Sequence, residues 1–306
     1  MKNKSLPRDA VLVVNAGSRR GGDLFEEAKA KLTEAGVNLI DAVDVTNPGD
    51  IRAIVRQAIQ EGAPMVIVGG GDGSLSGVVD EFVGTDCVFA ILPLGTANSS
   101  ARTLGLPLDL DGAIDVIAQG ERKRIDLGMI DEDYFVNAAS LGLSPIIGET
   151  VPAKLKRYLG RFGYLFWAIK CLAAFRPFKL ILDDGADKHI LWSTEVRVLN
   201  GPYHGGLELS DNAKVDSGQI LIQAVVGKSK WKLAWDWYAK ALKLRDRNAN
   251  AREFTGTSFL LETRPKLKIS IDGEVLATTP VQVRVSTQAI EVACPCKKSE
   301  EPAASY

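Results

Sequence analysis

The stretch Val66-Ile-Val-Gly-Gly-Gly-Asp-Gly-Ser-Leu-Ser76 decides how the first half of this 306-residue chain folds. The apolar run at 65–68 ends in three glycines, an aspartate, a fourth glycine and a serine. Apolar side chains then recur at helical spacing, at Leu75, Val78, Val79 and Phe82. The pattern predicts a buried strand, a turn without bulky side chains and the start of a helix.

A turn of this kind favours a nucleotide triphosphate site. Backbone N–H groups of a glycine-rich turn can approach phosphate oxygens, and the helix that follows directs its N-terminus at negative charge. Asp72 would itself repel a phosphate, so we expect it to hold Mg²⁺, a water or a neighbouring loop. A tight strand-to-helix connection would also use glycine, but four glycines around an acid favour the phosphate. The loop is neither a Walker A motif nor a dinucleotide-binding fingerprint.

The composition is that of a globular protein with balanced charge. The 37 basic and 38 acidic residues create no bulk field that would recruit nucleic acid. No uncharged run reaches the roughly 18 residues needed to span a membrane, and the first apolar run is too short for a signal peptide. Four scattered cysteines and two histidines make a zinc cluster implausible. We therefore expect a cytoplasmic protein with reduced thiols and no nucleic-acid partner.

The first half of the sequence alternates between strands and helices. Strand-like runs at 11–15, 37–45, 65–68 and 87–92 are separated by helical patterns near 23–35, 48–60, from 74, 96–104 and 109–119. Such alternation predicts right-handed crossovers and a parallel sheet. Ligands bind beyond the carboxyl ends of strands in such sheets, and three suggestive loops follow strands here, at 15–19, 69–74 and 93–98.

After about residue 125 the pattern changes to short strands. Runs at 134–138, 179–182, 190–199, 220–226, 254–261, 267–271 and 281–286 are punctuated by glycines and acids. They predict an antiparallel sheet or sandwich, interrupted by helices at about 153–175 and 230–245. The expected fold class is α/β, with an N-terminal parallel-sheet nucleotide domain (1–127), a second, β-rich sandwich domain (128–290) and a C-terminal segment (291–306).

Taken in order, the loops resemble those of the diacylglycerol kinase catalytic family, especially its soluble bacterial lipid kinases. The motifs are Asn15-Ala-Gly-Ser18, Gly70-Gly-Asp-Gly-Ser74, Leu92-Pro-Leu-Gly-Thr-Ala-Asn98, Ile125-Asp-Leu-Gly128, Tyr134-Phe-Val-Asn-Ala-Ala-Ser-Leu-Gly142, Gly205-Gly206, Asn212-Ala-Lys-Val-Asp-Ser-Gly218 and Ile271-Asp-Gly-Glu274. They cover most of the chain. The Gly70 loop alone would not be specific, since NAD kinases and phosphofructokinases carry similar loops, but the second signatures of those families are absent.

The resemblance implies a lipid kinase that binds ATP with Mg²⁺ in a cleft between an α/β domain of the NAD kinase and diacylglycerol kinase type and the β-rich domain. The final segment would return to the first domain before a disordered tail. The nucleotide contacts it implies are Asn15, Ala16, Gly17, Ser18, Arg19, Thr46, Gly70, Gly71, Asp72, Gly73, Ser74, Leu75, Ser76 and Thr96. Glu274 would be the general base with Asp272 beside it, and Asp72 and Asp126 would organise charge.

Three positions depart from the family pattern. Gly77 stands where the family often has Glu, and Ser99 and Ser217 stand where acids are usual. In relatives the loop of Ser217 can bind a structural Mg²⁺, and here Asp216 is the acid that remains as a candidate ligand. These departures leave open a catalytically silent nucleotide- or lipid-binding regulator. A kinase for a soluble acceptor, such as NAD or a sugar phosphate, is the other alternative.

Two of the implied acids also have structural explanations. Asp272-Gly273 favours the type I′ turn of a hairpin, so we expect a turn that also presents Glu274 to the cleft. Asp126 follows the apolar Ile125 where the pattern changes between domains. A buried acid there needs partners, so a charge-organising role and a cap at the hinge between domains are equally open.

Two helical patterns combine apolar residues with basic ones. The stripe at 153–175 is regular, and we expect it to pack on the second domain. The 230–245 pattern sets aromatic residues among lysines, which suits a core or a membrane interface, at Trp231, Trp235, Tyr238 and Leu242. A kinase for bilayer lipid must reach the membrane, so we expect peripheral association through one of these helices. The sequence does not name the lipid, and it leaves a homodimer open.

Overall fold

A computed structural model describes residues 5–17, 21–152, 166–244, 248–272 and 274–296. The chain divides into two compact units. The first consists of residues 1–124 and 290–306, and the second of residues 125–289. The second unit is therefore inserted into the sequence of the first.

The strands, in chain order, are β1 Asp9–Asn15, β2 Asn38–Val45, β3 Met65–Gly70, β4 Val88–Pro93, β5 Glu121–Ile130, β6 Asp133–Phe135, β7 Ala138–Gly142, β8 Phe178–Asp183, β9 Lys188–Leu199, β10 Tyr203–His204, β11 Leu207–Glu208, β12 Ile220–Val226, β13 Ala251–Gly256, β14 Ser258–Arg264, β15 Lys268–Ile271, β16 Glu274–Thr278 and β17 Val281–Cys294. The helices are α1 Gly21–Glu34, α2 Ile51–Gln60, α3 Asp72–Ser76, α4 Ser99–Thr103, α5 Leu110–Gln119, α6 Leu143–Thr150, α7 at 166–174 and α8 Lys230–Ala241, with 3₁₀ turns at Pro48–Asp50 and Val79–Phe82.

The first unit is built on a parallel sheet in the order β2-β1-β3-β4-β17. Val11 pairs with Val66 across β1 and β3, and Val88 pairs with Glu291 across β4 and β17. β3 and β4 are buried along their whole length, which explains their unbroken apolar sequence. Because the strands are parallel, the carboxyl ends of β1, β3 and β4 meet at one edge of the sheet.

Helices α1 and α5 cover this sheet with apolar faces. Leu32 of α1 and Ile114 and Ile117 of α5 pack in one core with Leu12 and Ile67 of the strands. Asp109 caps α5, because its side chain accepts a hydrogen bond from Gly112 N at 2.9 Å.

Two helices of the first unit are shorter than their sequence patterns predict. The helix expected from residue 74 ends at Ser76, and a 3₁₀ turn then buries Val79 and Phe82. Gly77, a poor helix former, lies at this break. The helix expected from residue 96 begins only at Ser99, because Asn98 adopts a left-handed φ of 48°.

The second unit is antiparallel. Its strands follow the order β16-β15-β7-β9-β8-β14-β17, and β12 pairs with β9 and β13. The core beneath them includes Phe135, Phe178, Val198, Ile222 and Phe259. A parallel-sheet unit joined to a β-rich unit is the fold class expected from the sequence.

Several predicted elements of the second unit have different limits. The strand expected at 254–261 is two strands that separate after Gly256, and the one at 134–138 divides between β6 and β7. The strand expected at 281–286 continues to Cys294. α8 ends at Ala241 rather than near 245, and Lys243 has a left-handed φ of 51°. Of the helix expected at 153–175, residues 166–174 are helical and 153–165 lie outside the described residues.

Candidate functional site

The carboxyl ends of β1 and β3 are joined by side-chain and backbone hydrogen bonds. Asn15 ends β1, and its Nδ2 donates to Ser74 Oγ of α3 at 2.8 Å. Gly70 ends β3, and its carbonyl accepts from Leu94 N, just beyond β4, at 3.0 Å. The structure thus brings together residues from the three loops that the sequence places after these strands.

The glycine loop after β3 lies against the loop after β4. A Cβ atom added to Gly95 would lie 2.5 Å from Gly71 Cα, and one added to Gly70 would lie 2.7 Å from Ser74 Cβ. Neither site can take a side chain without movement of the backbone. Packing therefore requires glycine at 70 and 95.

Gly73 differs from these neighbours. It is exposed in the first turn of α3, and no described atom lies within 4 Å of a Cβ added there. Glycine inside a helix costs about 0.5–1 kcal/mol relative to alanine. Because packing does not require this glycine, close approach of a ligand to the backbone would explain it.

Asp72 and Asn98 hold the loops in place. Asp72 is half-buried, and its Oδ1 accepts from Ser100 N at 3.2 Å. Asn98 Oδ1 accepts from Gly95 N at 3.0 Å, and its Nδ2 donates to Gly95 O at 3.1 Å and to Pro93 O at 3.3 Å. The sequence motif assigns no role to Asn98, although its position just before a helix is a signal for a capping residue.

The other predicted nucleotide contacts of the first unit are placed as follows. Ala16 N donates to Val45 O at 2.9 Å, and a Cβ on Gly17 would lie 3.2 Å from Thr46 O. Thr46 and Thr96 are exposed and Ser76 is half-buried. Leu75 is completely buried and its N–H donates to Gly71 O at 3.2 Å. Ser18 and Arg19 lie outside the described residues.

In the second unit, Asp272 forms the turn of the β15–β16 hairpin. Its φ is 43°, and Ile271 pairs with Glu274 across the two-residue turn, as a hairpin reading of Asp-Gly predicts. The two oxygens of its carboxylate accept from Val136 N and Ala138 N, each at 3.2 Å. Asp272 therefore ties this turn to the segment between β6 and β7.

Glu274 begins β16, but its side chain lies outside the described residues. Its assignment as the general base therefore stays a prediction. The structure fixes only the backbone from which this side chain starts.

Asp126 is a buried carboxylate whose oxygens are both satisfied by backbone donors. Only 3% of its surface is exposed. Oδ2 accepts from Gly218 N at 2.7 Å, and Oδ1 accepts from Gln288 N at 2.9 Å. Its own N–H donates to Val215 O at 2.6 Å. Asp126 thus holds the 214–218 loop against β17, and a charge network with Asp72 stays a prediction.

The 214–218 loop carries the predicted metal ligand, Asp216. This residue is exposed, and next to it Ser217 Oγ donates to Lys214 O at 2.9 Å. The described residues contain no group of three or more His, Cys, Asp or Glu side chains placed to hold a metal ion. Metal binding by Asp216 stays a prediction.

A buried charged cluster beneath α8 belongs to none of the sequence motifs. Arg197 of β9 contacts Glu195 Oε1 at 2.7 Å, Asp236 Oδ2 at 2.8 Å and Gln223 Oε1 at 2.9 Å. Lys240 Nζ contacts Asp236 Oδ1 at 2.5 Å. The available signals were an acid and a base two apart in an apolar strand and an acid and a base four apart on a helix.

The charges of this cluster balance each other. Burial alone would lower the pKa of Arg197, but the carboxylates of Glu195 and Asp236 outweigh burial and raise it. Burial and the nearby Arg197 charge lower the pKa of Lys240 to about 8. The cluster connects α8 to β9, which is a structural role.

Comparison with known proteins finds a family model for each half of the chain. The family model of the diacylglycerol kinase catalytic domain matches residues 9–130, and that of the YegS C-terminal NAD kinase beta sandwich-like domain matches residues 138–294. A Pseudomonas aeruginosa protein named "Probable lipid kinase YegS-like" is 31% identical over 95% of this chain and 96% of its own.

Two further likenesses extend the comparison. An uncharacterized protein of Synechocystis is 27% identical over 89% of this chain, a match that spans 64% of that protein. The crystal structure of a diacylglycerol kinase from Bacillus anthracis superposes with a TM-score of 0.73 at 21% identity, covering 94% of this chain and 97% of that one. This last likeness supports the fold.

The family resemblance inferred from the loops and the fold class are both confirmed. Both units match a family model, and the Pseudomonas relative aligns along nearly the whole chain. The chain therefore belongs to the YegS-like family of probable lipid kinases, whose N-terminal part is a diacylglycerol kinase catalytic domain.

Proposed function

We propose that the protein transfers the γ-phosphoryl group of ATP to a hydroxyl of diacylglycerol or a related lipid. The observation that carries the proposal is Gly73, a glycine that packing does not require, in the glycine loop of a diacylglycerol kinase catalytic domain. Such a position lets a phosphate approach the main chain where a side chain would obstruct it.

The loop suits a polyphosphate for a second reason. Ser74 N and Leu75 N donate to Gly71 O, but the N–H groups of Asp72 and Gly73, the first two of α3, have no acceptor within the helix. They could donate to phosphate oxygens without rearrangement of side chains. The bonds of Asp72 to α4 and of Asn98 across its own loop hold the first turn of α3 in shape before a ligand arrives. In this proposal the nucleotide lies against Gly70–Ser76, with Asn15, Gly17, Thr46 and Thr96 around it.

The residues at this edge fit a magnesium ion that arrives with the nucleotide. Asn15 Oδ1 is buried and, within the part of the chain that the structure describes, has no hydrogen-bond partner. Mg²⁺ binds oxygen atoms and usually takes one or two protein ligands together with substrate phosphates and water. Asn15 and Asp72 would hold the ion, which would neutralise charge on the phosphates.

The acceptor hydroxyl needs a group that removes its proton. As its oxygen bonds to the γ-phosphorus and ADP leaves, the proton would pass to Glu274, which would speed transfer by about 10²–10⁴-fold. Asp272 would act on Glu274 as a positioning residue, because its bonds to Val136 and Ala138 fix the turn. ATP as donor and a bilayer lipid as acceptor place the enzyme in the cytoplasm, at the membrane surface.

Transfer from labelled ATP into a total lipid extract, with the head group of the product identified, tests the proposal. We expect the label to appear in a phosphorylated lipid, such as phosphatidic acid. Glu274→Gln should lower the rate by about 10²–10⁴-fold and leave ATP binding nearly unchanged. Glu132→Gln, at an exposed acid of the same unit, is the matched control.

The two alternatives give different results in this assay. Labelling of NAD or a sugar phosphate, with no labelled lipid, would identify a soluble-acceptor kinase. ATP binding without transfer to any acceptor would identify a silent regulator, the alternative that Gly77, Ser99 and Ser217 raise. Full activity of Glu274→Gln would remove this residue from the role of base.

A further inference from the structure

α8 departs from the usual amphipathic pattern, because it buries two charged side chains and exposes several aromatic ones. Its charged residues Asp236 and Lys240 are buried, while Trp231 is 80% exposed and Trp235 48% exposed. Tyr238, 54% exposed, continues the same stripe at helical spacing, with its ring 5.7 Å from that of Trp235. Burial of large apolar side chains is the main source of folding energy, so an aromatic stripe left outside points to contact with something other than the core.

The exposed stripe continues onto neighbouring segments of the second unit. Lys230 Nζ at the start of α8 donates to Ala173 O, at the end of α7, at 2.5 Å. On α7, Phe166 is 64% and Ile169 59% exposed. Trp192 of β9, also exposed, lies under Lys228 Nζ at 4.4 Å from its ring centroid. We call the exposed side chains of 166–176, Trp192 and 228–244 the aromatic–basic face.

The charge on this face has one sign. Residues 166–176 and 228–244 contain a single acid, Asp236, and it is buried. The exposed charged side chains are all basic, at Lys170, Arg176, Lys228, Lys232 and Lys243, the last of which lies 3.8 Å from Glu208. The remainder of the chain balances this excess, since the whole protein has a net charge of −1.

We propose that the aromatic–basic face docks the second unit on an anionic lipid bilayer. Tryptophan and tyrosine concentrate at the head-group level, where an apolar ring and a polar edge are both satisfied. Lysine and arginine beside them are drawn to the negative surface of anionic lipids. Two copies of this face would bring like charges together, which disfavours a dimer through it. The proposed substrate is a lipid in a bilayer, so the enzyme would have to bind a bilayer to reach it. The inference rests on the proposed function for this reason only.

Co-sedimentation with large unilamellar vesicles tests the inference. We expect the full chain to bind vesicles of phosphatidylcholine with phosphatidylglycerol, to bind pure phosphatidylcholine weakly, and to dissociate as salt rises. Trp231→Ser with Trp235→Ser should weaken binding by about tenfold or more, and so should Phe166→Ser with Ile169→Ser. The matched control is Ile40→Ser, at an apolar residue of the first unit that is also exposed. Thermal unfolding would establish that each variant is folded.

A kinase assay separates this inference from the proposed function. The tryptophan double variant should lose activity on lipid in vesicles and keep it on the same lipid dispersed in detergent. Vesicle binding by a protein without any kinase activity would refute the function and leave the docking face standing. Equal vesicle binding by wild type and both double variants would overturn the inference. A double variant that changes the oligomeric state instead of vesicle binding would show that the face joins protein copies, which also overturns it.

Discussion

At the residue scale, the glycines of the loops after β3 and β4 meet different physical demands. Gly70 and Gly95 leave no room for a Cβ atom, whereas Gly73 faces open space. The sequence shows only that glycines cluster, because close approach by the protein and close approach by a ligand both select glycine. The structure separates the two cases, and substitution can test the separation.

Gly73→Ala should leave the protein folded and weaken ATP binding. An alanine there meets no described atom and should raise helix stability by about 0.5–1 kcal/mol, but its methyl group would stand where phosphate is proposed to lie. Titration calorimetry with Mg-ATP and thermal unfolding measure the two effects. Gly95→Ala is the matched variant, and it should lower stability by about 1–3 kcal/mol because of its contact with Gly71. Unchanged ATP affinity of Gly73→Ala would contradict the phosphate site.

Cys87 and Cys296 should differ sharply in reactivity. All four cysteines are free, and burial raises the pKa of Cys87 to about 12, while Cys296 is exposed. Since the thiolate is the reactive form, Cys87 should resist iodoacetamide at pH 8 and react only as pH approaches its pKa or as the protein unfolds. Mass spectrometry over time gives the rates, with urea-unfolded protein as control. Equal rates at both cysteines in folded protein would refute the assignment.

At the element scale, α8 is attached by charge as well as by apolar packing. Leu233 and Ala239 bury apolar surface, and Asp236 lies between Arg197 and Lys240. Removal of one partner from a buried ion cluster is costly because the remaining charges are left without compensation. The cluster therefore makes the position of α8 sensitive to a single side chain.

Asp236→Asn should destabilise the second unit by about 3–5 kcal/mol, since Arg197 and Lys240 would share only the Glu195 charge. Urea unfolding measures the change. Asp187→Asn, at an exposed aspartate between β8 and β9, should stay within about 0.5 kcal/mol of wild type. A loss below about 1 kcal/mol for Asp236→Asn would mean that the cluster adds little to stability.

At the scale of the whole molecule, the last strand supplies part of the first unit. Ile290 and Val292 of β17 are completely buried, and Glu291 pairs with Val88 in the parallel sheet. The Glu291 carboxylate also forms ion pairs with Arg122 and, at 3.1 Å, with Arg124. A segment nearly 200 residues distant in sequence from β4 therefore completes its sheet.

A chain that ends at Ala289 should have an unstable first unit. It would lack the buried side chains of Ile290 and Val292, worth about 1.5–3 kcal/mol each, and the ion pairs of Glu291. Limited proteolysis should cleave its residues 5–124 much faster than in the full chain. A chain ending at Cys296 keeps every described residue and is the control. Equal protease resistance of the two truncations would show that the first four strands suffice.

Much of this architecture is predictable from sequence, because the local patterns of apolar and turn residues agree with the packing of the whole unit. β1, β3 and β4 are short apolar runs bounded by turn residues, and they are buried strands. The predicted and observed helices differ where one residue interrupts a periodic pattern, as Gly77 and Asn98 do. The sequence pattern does not predict the full length of β17, because its alternation is lost around Gln288, where φ is 48°.

The candidate site was predictable at the level of loops and less so at the level of contacts. Glycine patterns located the edge at Asn15 and Gly70, and the Asp-Gly pair located the hairpin turn at Asp272. The bonds of Asp126 to Gly218 and Gln288 could not be read from sequence, because they join segments about 90 and 160 residues apart. The cluster around Arg197 could not be predicted for the same reason, because its members lie on segments that are distant in sequence.

The return of β17 has a consequence for synthesis on the ribosome. Residues 1–124 emerge first, yet the strand that lies beside β4 emerges only after the entire inserted unit has been made. During that interval β4 presents an unpaired strand edge, which is a condition that favours aggregation or chaperone binding. The first unit can therefore be completed only after the whole of the second unit has been translated.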